Sequence, residues 1–245
     1  MRVALTHSEE RLEGLAEALT ARGHEAIRAP LVHTETRLDR EARAAAGAIC
    51  TADWLLFTSR AGVSAWHTLG FDLSGGPHLG PHLGAVGVAT AAGLKRLGGR
   101  VELVGDPPNA AGLAACFLER VGKVSLVGLP QGDRAQTTLQ ERLEAAGVLT
   151  RVAVLYETRP LPWRGGEVDA VILASPSAVQ ALPARVGSRA RLLSLGPSTS
   201  RAVRARGWRC TEAVRPDAAA VLEALAVLEA LAELSDQGRL VHDDA

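Results

Sequence analysis

Short apolar runs of strand length alternate along the chain with stretches whose apolar residues recur at helical spacing, the pattern of βα units on a parallel sheet. Val3–Leu5 opens the first unit. Leu12, Leu15, Ala16 and Leu19 follow at helical spacing, and Gly23 stands where a helix ends. The same alternation predicts strands at Ala26–Ala29, Trp54–Phe57, Ala85–Val88, Val101–Val104, Val124–Val127, Val152–Leu155, Ala170–Leu173, Leu192–Leu195 and Cys210–Val214. About ten strands in 245 residues suit two five-stranded sheets better than one.

The pattern also repeats. Asp53–Val63 matches Asp169–Val179: an acidic start, an apolar strand, a serine at its carboxyl end, then a helix. Val86-Gly87-Val88-Ala89-Thr90 with Leu94 and Gly98 matches Leu195-Gly196-Pro197-Ser198-Thr199 with Val203 and Gly207. That register continues from Asp106-Pro107 through Leu113 to Arg215-Pro216 through Leu222. Arg2–Gly23 pairs more loosely with Lys123–Gly147, and Thr34-Glu35-Thr36 with Tyr156-Glu157-Thr158. The chain is a duplicated unit of about 120 residues, joined near Gly122.

Three segments fall outside the repeat. Gly76–Gly84, rich in Gly, Pro and His, is expected to be a surface loop; its His78 and His82 lack the Cys or carboxylate company of a metal site. Pro160–Gly166 has the composition of a connection between domains. Ser235–Ala245 is polar, follows an apolar-faced helix over Ala218–Leu234, and is expected to be a disordered tail.

Charge narrows the partners. Lys+Arg 27 against Asp+Glu 27 gives a formal net charge of zero, which removes the general attraction that nucleic acid or an anionic membrane requires. Aromatic residues make up 3%, with Tyr156 the single tyrosine, so base-stacking platforms are also absent. Cys50, Cys116 and Cys210 are too scattered for a disulfide framework and fit a reducing compartment. The N-terminus turns acidic before any signal-like apolar stretch, and no apolar run approaches the roughly 18 residues of a membrane span. A cytoplasmic protein is expected, and a monomer, since no heptad pattern or apolar edge strand argues for assembly.

Motif chemistry is thin. No GxGxxG opens a helix, no phosphate loop follows a strand, and HExxH, GxSxG and zinc-type Cys/His spacings are missing. With one Asn and seven scattered His, no nucleophile–base triad is legible. Instead, small hydroxyl residues recur where strands end and helices begin: Thr58-Ser59, Thr90, Ser175 with Ser177, and Ser198-Thr199. In a parallel α/β fold, ligands lie outside the carboxyl ends of the strands, where helix N-termini offer unpaired N–H groups and a positive dipole. The bland reading is helix capping, which Ser and Thr perform without any ligand. Four such turns in two domains would face one another over an interdomain cleft, and there the binding reading gains weight. Arg134, after Gln131-Gly132-Asp133 and before a helix bearing Leu139 and Leu143, is suited either to clamping a carboxylate or to solvation in a first turn. Tyr156 at a strand end is either a strand-favouring aromatic or a proton donor.

Taken in order, these residues resemble one known family. A strand ending in Thr58-Ser59 with Val63 beyond, Val86-Gly87-x-x-Thr90, Gly132-x-Arg134 ahead of a helix ending at Ala146-Gly147, Leu155-Tyr156-x-Thr158, Ser175-Pro176-Ser177-Ala178-Val179 and Gly196-Pro197-Ser198-Thr199 follow the order and spacing of the uroporphyrinogen-III synthases over about residues 1–230. Ala174 and Ser198 depart from it, standing where Thr is frequent, and so does Arg60 after the first Thr-Ser pair. The resemblance implies two flavodoxin-like α/β domains with parallel sheets. One is discontinuous (residues 1–31 and 160–234), the other is inserted (38–152), and a two-stranded connector (32–37 and 153–159) joins them.

The resemblance also implies a reaction. Hydroxymethylbilane loses water and closes to uroporphyrinogen III with ring D inverted, and neither cofactor nor metal takes part. Loss of hydroxide from ring A leaves an azafulvene, attack by the substituted carbon of ring D gives a spiro-pyrrolenine, and fragmentation and recombination invert the ring. Unassisted bilane closes to the uninverted isomer, so the protein's main task is to fold the substrate. Tyr156 is then the catalytic candidate; Thr58, Ser59, Arg60, Thr90, Arg134, Ser175, Ser177, Ser198 and Thr199 are the substrate-binding candidates. Expected partners are the bilane itself and, transiently, neighbouring enzymes of tetrapyrrole (haem) biosynthesis. The residues by themselves leave two other classes open: a non-catalytic two-domain sensor of a small anion, and a sugar- or nucleotide-transferring enzyme, which the missing phosphate loops disfavour.

Overall fold

The structure is a computed structural model that describes residues 1–6, 14–73, 80–121, 124–215 and 217–240. The chain divides into two compact units. Unit 1 comprises Met1–His33 and Arg159–Ala245, and unit 2 comprises Thr34–Thr158.

Unit 1 carries β1 (Arg2–Leu5), α1 (Leu15–Ala21), β2 (Glu25–Arg28), β9 (Ala170–Leu173), α7 (Pro176–Ala181), α8 (Ala184–Gly187), β10 (Arg191–Ser194), α9 (Pro197–Ala205), β11 (Thr211–Glu212) and α10 (Ala218–Leu240). Its five strands lie in the order β11-β10-β9-β1-β2, every pair parallel. Unit 2 carries α2 (Arg40–Gly47), β4 (Trp54–Phe57), α3 (Arg60–Thr68), β5 (His82–Ala85), α4 (Val88–Arg96), β6 (Val101–Val104), α5 (Ala110–Arg120), β7 (Val127–Gly132) and α6 (Thr138–Ala145). Two strands, β3 (Val32–Thr36) and β8 (Thr150–Pro160), run across the division, and the second sheet has the order β3-β8-β7-β4-β5-β6. The β8-β7-β4-β5-β6 part is parallel.

The duplication explains this order. Strands β4, β5 and β6 correspond to β9, β10 and β11, while β7 and β8 correspond to β1 and β2. The strands that open the chain therefore complete the sheet of the C-terminal repeat, and the strands that open that repeat complete the sheet of the first. Strand β3 adds a sixth member to one sheet where the apolar pattern predicts five.

Each central strand is buried on both faces, which is why Trp54–Phe57 and Ala170–Leu173 are apolar throughout rather than alternating. In unit 1, Val3 and Leu5 pack with Leu15, Leu19 and the buried face of α10, while Ala4 and Val171 point to the opposite core under α7 and α9. In unit 2, Leu55 and Phe57 pack with Val63 and Trp66, and Trp54 and Leu56 with Leu113 and Phe117.

The acidic start of the repeat has a physical role. Asp53 Oδ2 accepts the Ser125 and Leu126 N–H groups at 2.6 and 2.8 Å, and the Asp53 N–H donates to Leu126 O at 3.0 Å. Asp169 does the same in unit 1, accepting the Arg2 N–H at 2.6 Å while its own N–H donates to Arg2 O at 2.9 Å. Each carboxylate satisfies the amides at the start of the neighbouring strand and so fixes the register between the middle two strands.

Three expectations are corrected. The strand placed at Ala85–Val88 is His82–Ala85, because the His82 ring stacks on Trp54 (centroids 5.0 Å apart) and pairs with Glu102 at 2.7 Å; Val88 instead opens α4. His82 therefore belongs to a strand rather than to the Gly/Pro loop, whereas His78 lies outside the described residues. The strand placed at Val124–Val127 is Val127–Gly132, since Asp53 occupies the amides just before it. The helix placed over Ala218–Leu234 runs on to Leu240, so residues 235–240 are helical rather than a disordered tail: they are polar, but no proline interrupts them. Residues 241–245 lie outside the described residues.

Asp53→Ala is expected to lower the unfolding free energy by about 1 kcal/mol, less than the usual charge-assisted bond because the carboxylate is exposed. Urea titration checks this; an unchanged midpoint would remove Asp53 from the register-setting role.

Candidate active site

The parallel strands of unit 2 bring the end of β4, the end of β7 and the middle of β8 to one edge. Ser59 follows β4 and begins α3, where its Oγ accepts the Gly62 N–H at 3.0 Å. Tyr156 lies on β8, beside Gly132 of β7 in the ladder. Its hydroxyl meets Ser59 Oγ at 2.9 Å, a contact across 97 residues of sequence. To reach from β8 to the end of β4 the ring must cross β7, and it does so over Gly132. A Cβ at that position would lie 2.4–2.6 Å from ring carbons, so the crossing requires glycine. Gly62 is similarly confined, with a Cβ there 3.1 Å from Pro130 O.

Asp133 completes the arrangement. Its N–H donates to Tyr156 O at 3.0 Å and its Oδ1 accepts the Thr158 N–H at 2.9 Å, so the turn after β7 is tied to β8 on either side of Glu157, directly after the tyrosine. Burial pushes the Tyr156 hydroxyl above its ordinary pKa, and the Asp133 charge pushes it the same way. Hydrogen bonds from Ser59 and the Gly132 backbone oppose both effects. The phenol is thus held in its protonated form.

The other candidates of unit 2 surround this edge. Thr58 is half-buried at the end of β4, and Arg60 is the first residue of α3. Arg134 is exposed, its Nε 3.8 Å from Asp133 Oδ2, and both arginines are engaged within the protein. Thr90 is buried in the first turn of α4, whose N-cap is Gly87 with no side-chain cap, so the first amides of that helix have no hydroxyl or carboxylate of their own.

Unit 1 repeats the pattern. Ser175 caps α7 by accepting the Ala178 N–H at 3.2 Å, and its hydroxyl lies 3.0 Å from Ser177 Oγ. Ser198 and buried Thr199 are in the first turn of α9, capped by Gly196 again without a side chain. The capping reading is therefore correct for Ser59 and Ser175, whereas Thr90, Ser198 and Thr199 stand within first turns that no side chain caps. Sequence reasoning missed Asp133 as a partner of Tyr156, and missed buried Ser200, which joins Ser194 Oγ (2.6 Å) to the Glu212 carboxylate. The Gly-Asp step after an apolar strand is the signal that was available for Asp133; Ser200 carries none.

A cavity of about 590 Å³ opens elsewhere in unit 1, at the amino ends of β1 and β9, and is lined by Arg2, Trp163, Asp169, Arg185 and Arg189 among others. No candidate residue lines it. It lies at the edge opposite to that where parallel α/β sheets bind ligands.

Doubly wound parallel sheets with hydroxyls, a partly buried phenol and helix N-termini at their carboxyl edges define a two-unit α/β protein. The chain belongs to the uroporphyrinogen-III synthase family: the family model described as Uroporphyrinogen-III synthase HemD matches residues 13–223. Its fold is similar to that of a uroporphyrinogen-III synthetase from Helicobacter pylori, with 16% identity over 93% of this chain and 100% of that one and a TM-score of 0.63. It is also similar to a mutant uroporphyrinogen III synthase from the extremely thermophilic bacterium Thermus thermophilus, with 23% identity, coverage of 94% and 99%, and a TM-score of 0.61. No curated protein matches the chain significantly. Among the described residues, no helix is long and apolar enough to cross a membrane.

Tyr156 is the single tyrosine, so absorbance at tyrosinate wavelengths reports it alone. A raised pKa means that the folded state binds the proton more tightly. Its contribution to stability is therefore present below the unfolded value of about 10 and is lost as pH rises through the folded value. The native protein is expected to titrate at higher pH than the chain in denaturant; equal or reversed midpoints would contradict the partly buried environment beside Asp133.

Proposed function

We propose that this protein converts hydroxymethylbilane to uroporphyrinogen III, with loss of water and inversion of ring D, and that Tyr156 gives the proton to the departing hydroxyl. The family match over residues 13–223 carries the reaction. The phenol held against Ser59 supports the role of Tyr156.

The reaction is a dehydration with ring closure and no net change of oxidation state, which makes the enzyme a hydro-lyase that works with a proton donor and an oriented substrate alone. The C–O bond of the hydroxymethyl group breaks, its electron pair leaves with oxygen, and the Tyr156 proton completes a water molecule. The proton later lost from ring D as the macrocycle closes restores the phenol, so the cycle balances. The azafulvene left by water loss is attacked by the substituted carbon of ring D only if the bilane is held bent. Folding the bilane is therefore where the protein acts most on the product isomer.

Eight substrate carboxylates require donors. The first turns of α4 and α9 offer amides with no side-chain cap, together with Thr90, Ser198 and Thr199. Thr58, Ser59, Ser175 and Ser177 add hydroxyls, and Arg60 and Arg134 add charge. These assignments also resolve why a protein of zero net charge takes a polyanion: the charge is met locally by dipoles and two arginines.

Fresh hydroxymethylbilane incubated with the purified protein, followed by chromatographic separation of the isomers, tests the reading. Isomer III above the uncatalysed background is expected, and isomer I alone at the spontaneous rate would refute it. Tyr156→Phe is expected to lower kcat/KM by about 10²-fold while the product remains isomer III, since general acid catalysis adds to positioning rather than replacing it. An unchanged kcat/KM would exclude Tyr156 from the chemistry.

A further inference from the structure

We propose that Ser59 and Asp133 are positioning residues for Tyr156: Ser59 donates its hydroxyl hydrogen to the phenolic oxygen, so that the phenolic proton points away from the protein and is free to be given, and Asp133 holds the tyrosine backbone in place. The inference rests on the reading of Tyr156 as proton donor and deepens it.

The geometry allows few arrangements. Ser59 Oγ already accepts the Gly62 N–H at 3.0 Å, so its own hydrogen is available for one further bond, and the Tyr156 oxygen at 2.9 Å is the acceptor within reach. If the phenol were the donor instead, its proton would be spent inside the pair and a substrate hydroxyl would meet a lone pair. With Ser59 as donor, the same bond that aims the proton outward also stabilises the oxyanion left after transfer. The serine is itself fixed, because the N-terminus of α3 holds its oxygen.

Asp133 acts from the other side. Its N–H holds the Tyr156 carbonyl and its carboxylate holds the Thr158 N–H, which fixes β8 just beyond the tyrosine, and its charge favours the neutral phenol. Ser59 and Asp133 therefore pull the proton affinity of Tyr156 in opposite directions, and Gly132 beneath the ring leaves the side chain no alternative path. A serine that merely caps a helix would do none of this. Its counterpart Ser175 shows the difference, since it caps α7 in the same way with no tyrosine beside it.

The test is a tyrosinate titration of the intact protein and its variants, read at the single tyrosine. Ser59→Ala is expected to move the midpoint upward, and Asp133→Asn, which keeps an acceptor for the Thr158 N–H, to move it downward. Ser175→Ala, which loses an equivalent cap, is expected to leave it in place. Ser59→Thr, which retains the hydroxyl, restores the original midpoint. In turnover, Ser59→Ala is expected to lower kcat about tenfold with a smaller change in KM, the size of one hydrogen bond made in the transition state. A midpoint that moves in neither Ser59→Ala nor Asp133→Asn, or that moves as much in Ser175→Ala, overturns the proposal. The titration does not depend on the reaction, so loss of the synthase reading would show in the isomer assay alone, and loss of the positioning role in the midpoints alone.

Discussion

A parallel strand can be joined to its neighbour only by a crossover, and within each unit the crossovers are helices, so the parallel strands that precede a helix deliver their carboxyl ends and the next helix N-terminus to one edge of their sheet. Everything that bears on function in this chain follows from that constraint. It places Ser59 beyond β4 and Ser175 beyond β9, and it leaves the first turns of α4 and α9 pointing out of the fold with glycine at their caps. It also gives a neutral protein two concentrated sources of positive potential without any excess of basic residues.

The duplication doubles the edge but does not copy its chemistry. Both halves keep the aspartate that sets strand register, the serine that caps the helix after the central strand, and the glycine cap of the helix after the next one. One half alone has a phenol. On β8 the ring crosses Gly132 to Ser59, whereas the repeat places Thr34 of β3 at the position matching Tyr156, and the chain has a single tyrosine. Two hydroxyl-bearing edges and a single phenol are what the proposed reaction, on a large polycarboxylate that reacts at one end, would use.

Much of the fold was legible in the sequence. Trp54–Phe57 and Ala170–Leu173 are apolar at every position because helices cover both faces, and their acidic lead residues mark a register device that the structure makes explicit. The errors have local causes. The apolar run Ala85–Val88 straddles a strand end and a helix start, and periodicity cannot divide it. Hydrogen bonds from Ser125 and Leu126 to Asp53 delay β7, so that Gln131 and Gly132 are ladder residues rather than a loop. Tyr156 was identifiable as the single phenol, but it stands inside β8 and not at the strand end expected for it, because β8 runs on to Pro160. Its contact with Ser59 was not, because it depends on β8, β7 and β4 lying side by side in that order, and strand order leaves no trace in local pattern. The same holds for Asp133, whose role exists only once β7 and β8 are paired.

In the function proposed above, the carboxyl edges of the two sheets, and not the arginine-lined cavity at the amino edge of unit 1, receive the ligand. Amide hydrogen exchange with and without bound uroporphyrinogen III tests it most directly. Slowed exchange is expected at the first turns of α3, α4, α7 and α9 and around Gly132 and Asp133, with residues near Arg2, Arg185 and Arg189 unchanged. Slowed exchange confined to the Arg2, Arg185 and Arg189 region would contradict it.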